Sequence, residues 1–144
     1  MLNPRMINQP ALPIFQWPVR VYYEDTDAGG VVYHSQYLNF MERARTEWLR
    51  SLGFEQEALR DSENILFVVH SMQVLFKKSA KFDDILSVDT QLMELRRSSF
   101  VCTQKIIRQG ALATQAQVKI VCVNAVTFKP TGIPTQIKRK MESI

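Results

Sequence analysis

Apolar positions along the chain follow two periods, and the change from one to the other divides it. From about Gln36 to Leu52 the period is 3.6. Tyr37, Phe40, Met41, Ala44 and Trp48 keep i, i+3, i+4, i+7 spacing, and Leu38, Leu49 and Leu52 widen the stripe. Glu42, Arg43, Thr46, Glu47 and Arg50 take the opposite arc. This predicts one long amphipathic helix, with Ser35 as N-cap and Gly53 as C′ stop, whose apolar arc is wide enough to be embraced by a sheet.

Elsewhere the period is 2. Trp17 to Glu24 reads as a strand, with Val19, Val21 and Tyr23 alternating against Arg20 and Tyr22, and Asp25 to Gly30 is turn chemistry that stops it. From Asn64 a long strand places Val68, Met72, Val74 and Phe76 on one face and Val69, Ser71 and Gln73 on the other. A second strand carries Leu86, Val88 and Leu92, and a third runs from Ser99 to Arg108 and turns through Gln109-Gly110. A last one spans Leu112 to Phe128, with Thr114, Ala116, Val118, Ile120 and Cys122 against Gln115, Gln117 and Lys119. Pro130, Gly132 and Pro134 end the sheet before a short basic helix from Thr135 to Ser143. Short connections argue antiparallel pairing, so the expected class is α+β: one helix on an antiparallel sheet.

Composition adds limits. The chain has 144 residues, 46% of them hydrophobic, enough for a single domain with its own core. Met1 to Ile14, broken by Pro4, Pro10 and Pro13, reads as a loose arm (1–14) before a domain covering 15–144, and it lacks the apolar h-region of a signal peptide. The longest apolar run, Ile65 to Val69, is far too short for a membrane span, which needs roughly 20 residues. Cys102 and Cys122 fit a reducing compartment as small buried hydrophobes, so a cytoplasmic location is expected. With only His34 and His70 besides, no zinc-ligand spacing occurs, and neither a metal nor a bound cofactor is expected. A net charge of +4 suits phosphates or an acidic carrier protein but is too small to argue nucleic acid.

The chain has no Gly-x-Ser-x-Gly elbow, P-loop, Gly-x-Gly-x-x-Gly or His-Glu-x-x-His. What remains is the segment from Tyr22 to His34, which sets two carboxylates, Asp25 and Asp27, at a strand end, then two glycines, then a helix start. A helix N-terminus offers unpaired N–H donors suited to an oxyanion, and a carboxylate facing it can act as base or nucleophile. The same residues also describe a plain turn whose aspartates bind backbone N–H groups, and spacing alone favours that plainer version.

The segment from Trp17 to Arg45 contains Val-Tyr-Tyr-Glu-Asp-Thr-Asp-Ala-Gly-Gly-Val-Val-Tyr-His and then Met-Glu-Arg-Ala-Arg-Thr-Glu. It closely resembles the YbgC-like acyl-CoA thioesterases, which are relatives of the 4-hydroxybenzoyl-CoA thioesterases and are associated with the Tol–Pal envelope system. The likeness runs on to about Pro134. It implies a hotdog fold, with the long helix as sausage and the sheet as bun, and a homodimer or homotetramer with active sites at the interface. It also implies hydrolysis of an acyl-CoA substrate, with an acyl thioester on an acyl carrier protein as the alternative carrier. Carried over by position, Asp27 matches the catalytic carboxylate and His34 the residue whose backbone N–H polarises the thioester carbonyl. Gly29 and Gly30 match glycines that let the carbonyl approach. A hotdog dehydratase acting on hydroxyacyl thioesters through a His and a carboxylate is the rival enzyme. A carrier-protein or envelope-complex binding module is the non-enzyme alternative.

Other residues have plainer readings beside the functional one. Tyr33 either walls an acyl pocket or packs the core. His70, grouped with Val68 and Met72, reads as a core or interface histidine. Arg45, within the apolar arc, is expected to pair with a carboxylate or snorkel to an interface. Glu42 and Glu47 are rival bases or solvated helix charges. Lys77, Lys78, Lys81, Arg96, Arg97 and Lys138 to Lys140 are surface charges or coenzyme A phosphate contacts.

Overall fold

The computed structural model describes residues 13–143, so the arm expected over 1–14 lies almost wholly outside the described residues. Five strands form one antiparallel sheet: β1 (Phe15–Arg20), β2 (Ile65–Phe76), β3 (Ile85–Leu95), β4 (Ser99–Arg108) and β5 (Ala111–Asn124), in the order β1-β3-β4-β5-β2. Three helices complete it: α1 (His34–Ser51), α2 (Gln56–Glu63) and α3 (Thr135–Ser143). The arrangement is the α+β hotdog expected, with α1 lying on one face of the sheet.

That face is built from the even-numbered positions of β3, β4 and β5. Leu86, Val88, Thr90 and Leu92, then Phe100, Cys102, Gln104 and Ile106, then Ala116, Val118, Ile120 and Cys122 are all buried. Against them α1 buries Tyr37, Phe40, Met41, Ala44, Trp48 and Leu49, as its 3.6 period requires. The helix lies over β1 and β3 and reaches β4, where the Trp48 and Phe100 rings meet edge to face at 5.7 Å. Polar residues are embedded beneath it too: the buried Gln104 donates from Nε2 to the Met41 carbonyl and to the buried Thr90 Oγ1, each at 2.9 Å. Both cysteines are buried free thiols, pushed by that burial up to about 12 for Cys102 and about 11 for Cys122.

Several expected boundaries move. The first strand ends at Arg20, not Glu24, because the Asp25 carboxylate accepts the Tyr22 N–H at 2.8 Å and winds Tyr23–Asp25 into one 3₁₀ turn. The long helix begins at His34 with Tyr33 as N-cap and no side-chain cap bond, so Ser35 lies inside it. Gly53 follows the helix at φ 94°, a left-handed stop that glycine adopts freely. α2 was not legible: its eight residues bury only Leu59, too little for a stripe. β5 ends at Asn124, whose side-chain oxygen accepts the N–H groups of Val126 and Thr127 and turns the chain out of the sheet.

The most consequential correction lies in β2. Its register against β5 shifts between Val69 and Ser71, and the bulge exchanges the two faces of the strand. Phe67 and Val69 oppose Cys122 and Ile120 before the bulge, and Met72 and Val74 oppose Val118 and Ala116 after it. Val68 therefore does not share a face with Met72, and His70 sits exposed at the bulge rather than in the core.

Where the chain enters β3, Asp84 Oδ2 accepts the Lys81 N–H at 2.8 Å and Arg108 Nε at 2.5 Å. Burial alone would raise the Asp84 carboxyl, but these two donors outweigh it and hold its pKa below the ordinary value. A depressed folded pKa gives stability that is complete above the unfolded value, about 4, and lost as pH falls through the folded one. Asp84→Asn should therefore flatten the fall in unfolding free energy below about pH 4, read from urea melts across the acid range. An unchanged acid slope would contradict the assignment.

Candidate active site

The segment between β1 and α1 folds as a small hairpin. Thr26 bridges Val32, Asp27 N–H donates to the Val31 carbonyl at 2.9 Å, and Gly30 N–H donates to the Asp27 carbonyl at 3.0 Å. A second tie holds the return arm to the segment after β2: Val31 bridges Lys81, and Val32 N–H donates to the Ala80 carbonyl at 2.9 Å. Gly30 turns the hairpin at φ 81°, in the left-handed region.

The two aspartates are separated by this geometry. Asp25 is 5% exposed and fully engaged: Oδ2 accepts the Tyr22 N–H and Oδ1 accepts Gln36 Nε2, both at 2.8 Å. Its carbonyl accepts the Tyr33 N–H at 3.0 Å, so it ties the hairpin to the first turn of α1. Asp27 is exposed at the hairpin tip. Its Oδ1 accepts the Gly29 N–H at 2.8 Å, while Oδ2 has no hydrogen bond among the described residues. A Cβ on Gly29 would lie 3.2 Å from that Oδ1, so the glycine leaves room for the carboxylate it holds.

Two residues beyond Val32, α1 begins. The N–H groups of His34 and Ser35 have no acceptor among the described residues and carry the positive end of an eighteen-residue helix dipole. Tyr33 is 48% exposed, so it does not pack the core, and its ring lies 4.3 Å from that of His34. His34 in turn meets Phe76, at the end of β2, edge to face at 6.3 Å. Behind them Tyr37 Oη accepts the Ala80 N–H at 2.9 Å, and burial raises its phenol above the usual range, so it stays neutral. Gln36, Tyr37 and Phe76 support this corner without having stood out in the sequence. Tyr37 and Phe76 looked like ordinary core positions, and no period distinguishes a tie such as Gln36.

The basic residues divide. Lys77, Lys78 and Lys81 lie on the segment that holds the hairpin, beside this corner. Arg96, Arg97 and α3 lie at the far end of the sheet, where Arg96 pairs with Glu94. Glu47 pairs with Arg50 at 3.2 Å, and Arg45 bonds a neutral amide, Gln104 Oε1, at 2.9 Å instead of the carboxylate expected. Among the described residues no group of three or more His, Cys, Asp or Glu side chains could hold a metal ion, and no helix is long and apolar enough to cross a membrane.

The model of the thioesterase-like superfamily matches residues 21–141. The chain belongs to that superfamily. The hairpin corner, α1 and strands β2 to β5 lie inside the matched span, and β1 lies just before it. It is 48% identical over 125 residues to a protein of Escherichia coli O6:H1 named acyl-CoA thioester hydrolase YbgC, covering 86% of this chain and 92% of that one. A Haemophilus influenzae protein named acyl-CoA thioesterase YbgC is 44% identical over 124 residues, covering 86% and 91%. Among solved structures, a probable thioesterase from Bartonella henselae superposes with a TM-score of 0.82 at 35% identity, covering 85% of this chain and 100% of that one.

Within this corner the two carboxylates should respond differently to the same change. Asp25→Asn turns an acceptor toward a donor at a buried site and should cost about 1–3 kcal/mol of stability by urea unfolding. Turnover of the folded fraction should stay within the same order of magnitude. A stable variant that had lost turnover would reverse the roles of Asp25 and Asp27.

Proposed function

We propose that the chain hydrolyses acyl-CoA thioesters to a carboxylic acid and free coenzyme A at the corner formed by Asp27 and the start of α1. The observation that carries this is the Asp27 carboxylate. One oxygen is pinned by Gly29 and the other is free, on a hairpin that leads directly into a helix terminus with unpaired N–H groups. Membership of the thioesterase-like superfamily and the names of the relatives support the reaction class.

The thioester oxygen accepts the His34 N–H, where the helix dipole stabilises the negative charge that develops on it. Asp27 removes a proton from water as the resulting hydroxide adds to the carbonyl carbon, and the carbon–sulfur bond then breaks; in the covalent route the carboxylate attacks that carbon itself and expels the thiolate to give a mixed anhydride, which one water hydrolyses. In both routes the departing thiolate takes up a proton. Thiolate is a good enough leaving group to need no strong general acid. Tyr33 walls the entrance, and Gly29 and Gly30 keep the approach to the backbone clear of side chains. Lys77, Lys78 and Lys81 meet the phosphates of the nucleotide, and the same positive side suits an acidic carrier protein presenting the acyl group. We place this chemistry in the cytoplasm, where the buried thiols stay reduced. A link to the Tol–Pal system rests on the family likeness alone.

The active unit is a homodimer or a dimer of dimers built through the β2 edge. β1, the other edge, is short and carries Pro18, which donates nothing to a ladder. β2 runs twelve residues without proline or a charged side chain and leaves Val69, Leu75 and Phe76 47%, 60% and 51% exposed.

Release of free thiol from a short-chain acyl-CoA, followed with a thiol-trapping dye, tests the reaction, since a dehydratase releases none. Asp27→Asn should lower turnover by roughly 10²–10⁴ with the fold intact by circular dichroism. His34→Ala, which keeps the main-chain donor, should lose less than about tenfold. A folded His34→Ala enzyme as inactive as Asp27→Asn would instead make the imidazole the proton carrier. If the three lysines meet phosphates, KM should rise with ionic strength more than kcat falls, because exposed charges are screened within about 8 Å at physiological salt. Equal effects on both constants would remove those contacts.

A further inference from the structure

A carboxylate and a main-chain donor that act on one carbonyl group must keep a fixed distance from each other. The His34 N–H belongs to α1 outright. Asp27 sits instead on a hairpin that joins α1 through the extended residue Tyr33, and rotation about that one residue would swing the carboxylate away. Two ties, on opposite edges of the hairpin, oppose that rotation.

On the outgoing arm the tie is Asp25, which holds Tyr33 through its main-chain carbonyl and Gln36 through its carboxylate. On the return arm it is the segment 77–84, which crosses the end of the sheet from β2 to β3. This segment extends the hairpin into a three-part ladder. Asp27 N–H donates to the Val31 carbonyl, Val31 bridges Lys81, and Val32 N–H donates to the Ala80 carbonyl. Both ends of the segment are fastened to the sheet: Lys77 and Lys78 N–H donate to the Ala113 carbonyl, and Asp83 and Asp84 exchange main-chain bonds with Val21. Its middle is fastened to α1 at one point. Among the described residues, the only hydrogen bond from 77–84 to that helix runs from the Ala80 N–H to Tyr37 Oη, at 2.9 Å between two buried residues.

Packing does not require that hydroxyl. Tyr37 lies beside the rings of Phe40 and Phe76, with centroids at 6.4 and 5.8 Å, where a phenylalanine would fill the same space with no polar atom to bury. Its hydroxyl meets the one residue that carries the return arm. The Asp27 charge is felt at the phenol, which agrees with the ladder being short.

We propose that Tyr37 is a positioning residue: its hydroxyl holds Ala80 against α1 and, through the ladder, sets the Asp27 carboxylate at its working distance from the His34 N–H. This role rests on the reading of Asp27 given above. The hydroxyl is engaged on main chain, so its loss acts on the chemical step and leaves substrate binding in place. Misplacing a reacting group by about 1 Å costs on the order of 10²-fold in rate.

Tyr37→Phe should fold, by circular dichroism, and lower kcat on a short-chain acyl-CoA by roughly 10–100-fold while KM stays within about threefold. A kcat within about twofold of wild type, whatever the loss in melting temperature, would overturn the proposal, as would a loss carried wholly by KM. In an Asp27→Asn background the same change should lower the residual turnover by less than about threefold, because the carboxylate it positions is gone. A full second loss there would mean that the hydroxyl acts on something else. Replacing Ala80 by lactic acid exchanges its N–H for an ester oxygen and deletes the same bond from the other side, with Tyr37 intact. That protein should reproduce the kcat loss, and it takes the place of Tyr37→Phe should the latter fail to fold. Wild-type turnover in it would overturn the tie through Ala80. If Asp27→Asn alone keeps wild-type turnover, the reading of Asp27 fails and this role with it. An inactive Asp27→Asn beside a fully active Tyr37→Phe strikes the positioning role alone.

Discussion

A single helix is narrower than the sheet it lies on, and much of the structure follows from that mismatch. Five strands at about 4.8 Å spacing present a face roughly 19 Å across, whereas a helix with its side chains is about 10–12 Å wide. α1 resolves this by lying over β1 and β3 and reaching β4. Its side chains Phe40, Met41 and Ala44 are fully buried there. The cost falls on the opposite side, where β2 leaves apolar positions in solvent and a cavity opens along the helix. The covered side gives stability, and the uncovered side supplies the places where function can be built.

The same docking decides where the helix begins. Asp25 is committed at both oxygens, so the chain reaches Tyr33 with its direction fixed, and the N–H groups of His34 and Ser35 are presented without partners. Two residues away, Asp27 is held by one oxygen only and keeps the other free. One carboxylate builds the corner and the other is available to react. The distinction comes from hairpin geometry, since both residues are aspartate in nearly the same sequence context.

That contrast marks how far the sequence could be read. The 3.6 period of Tyr37 to Trp48 and the even-numbered alternation of β3 to β5 were legible because a single buried face writes itself into every second or every third and fourth residue. The motif from Val21 to His34 was legible through its family resemblance, not its spacing. What could not be read were features that break or ignore a period: the bulge at His70 that exchanges the faces of β2, the eight-residue α2 with one buried leucine, and a helix start capped by Tyr33 without a side-chain bond. Arg45 stood out as a charge within an apolar arc, but its neutral partner, Gln104, lies on a strand 59 residues away. No local pattern connects them.

The central claim is that the unpaired start of α1 receives the thioester oxygen while Asp27 faces the carbonyl carbon. A crystal structure of Asp27→Asn with an uncleaved short-chain acyl-CoA tests it most directly. The account predicts the thioester oxygen within hydrogen-bonding distance of the His34 main-chain nitrogen, with the residue 27 side chain on the side from which water or the carboxylate would attack. A thioester bound away from that helix terminus, or with its oxygen turned toward the His34 imidazole, would contradict it.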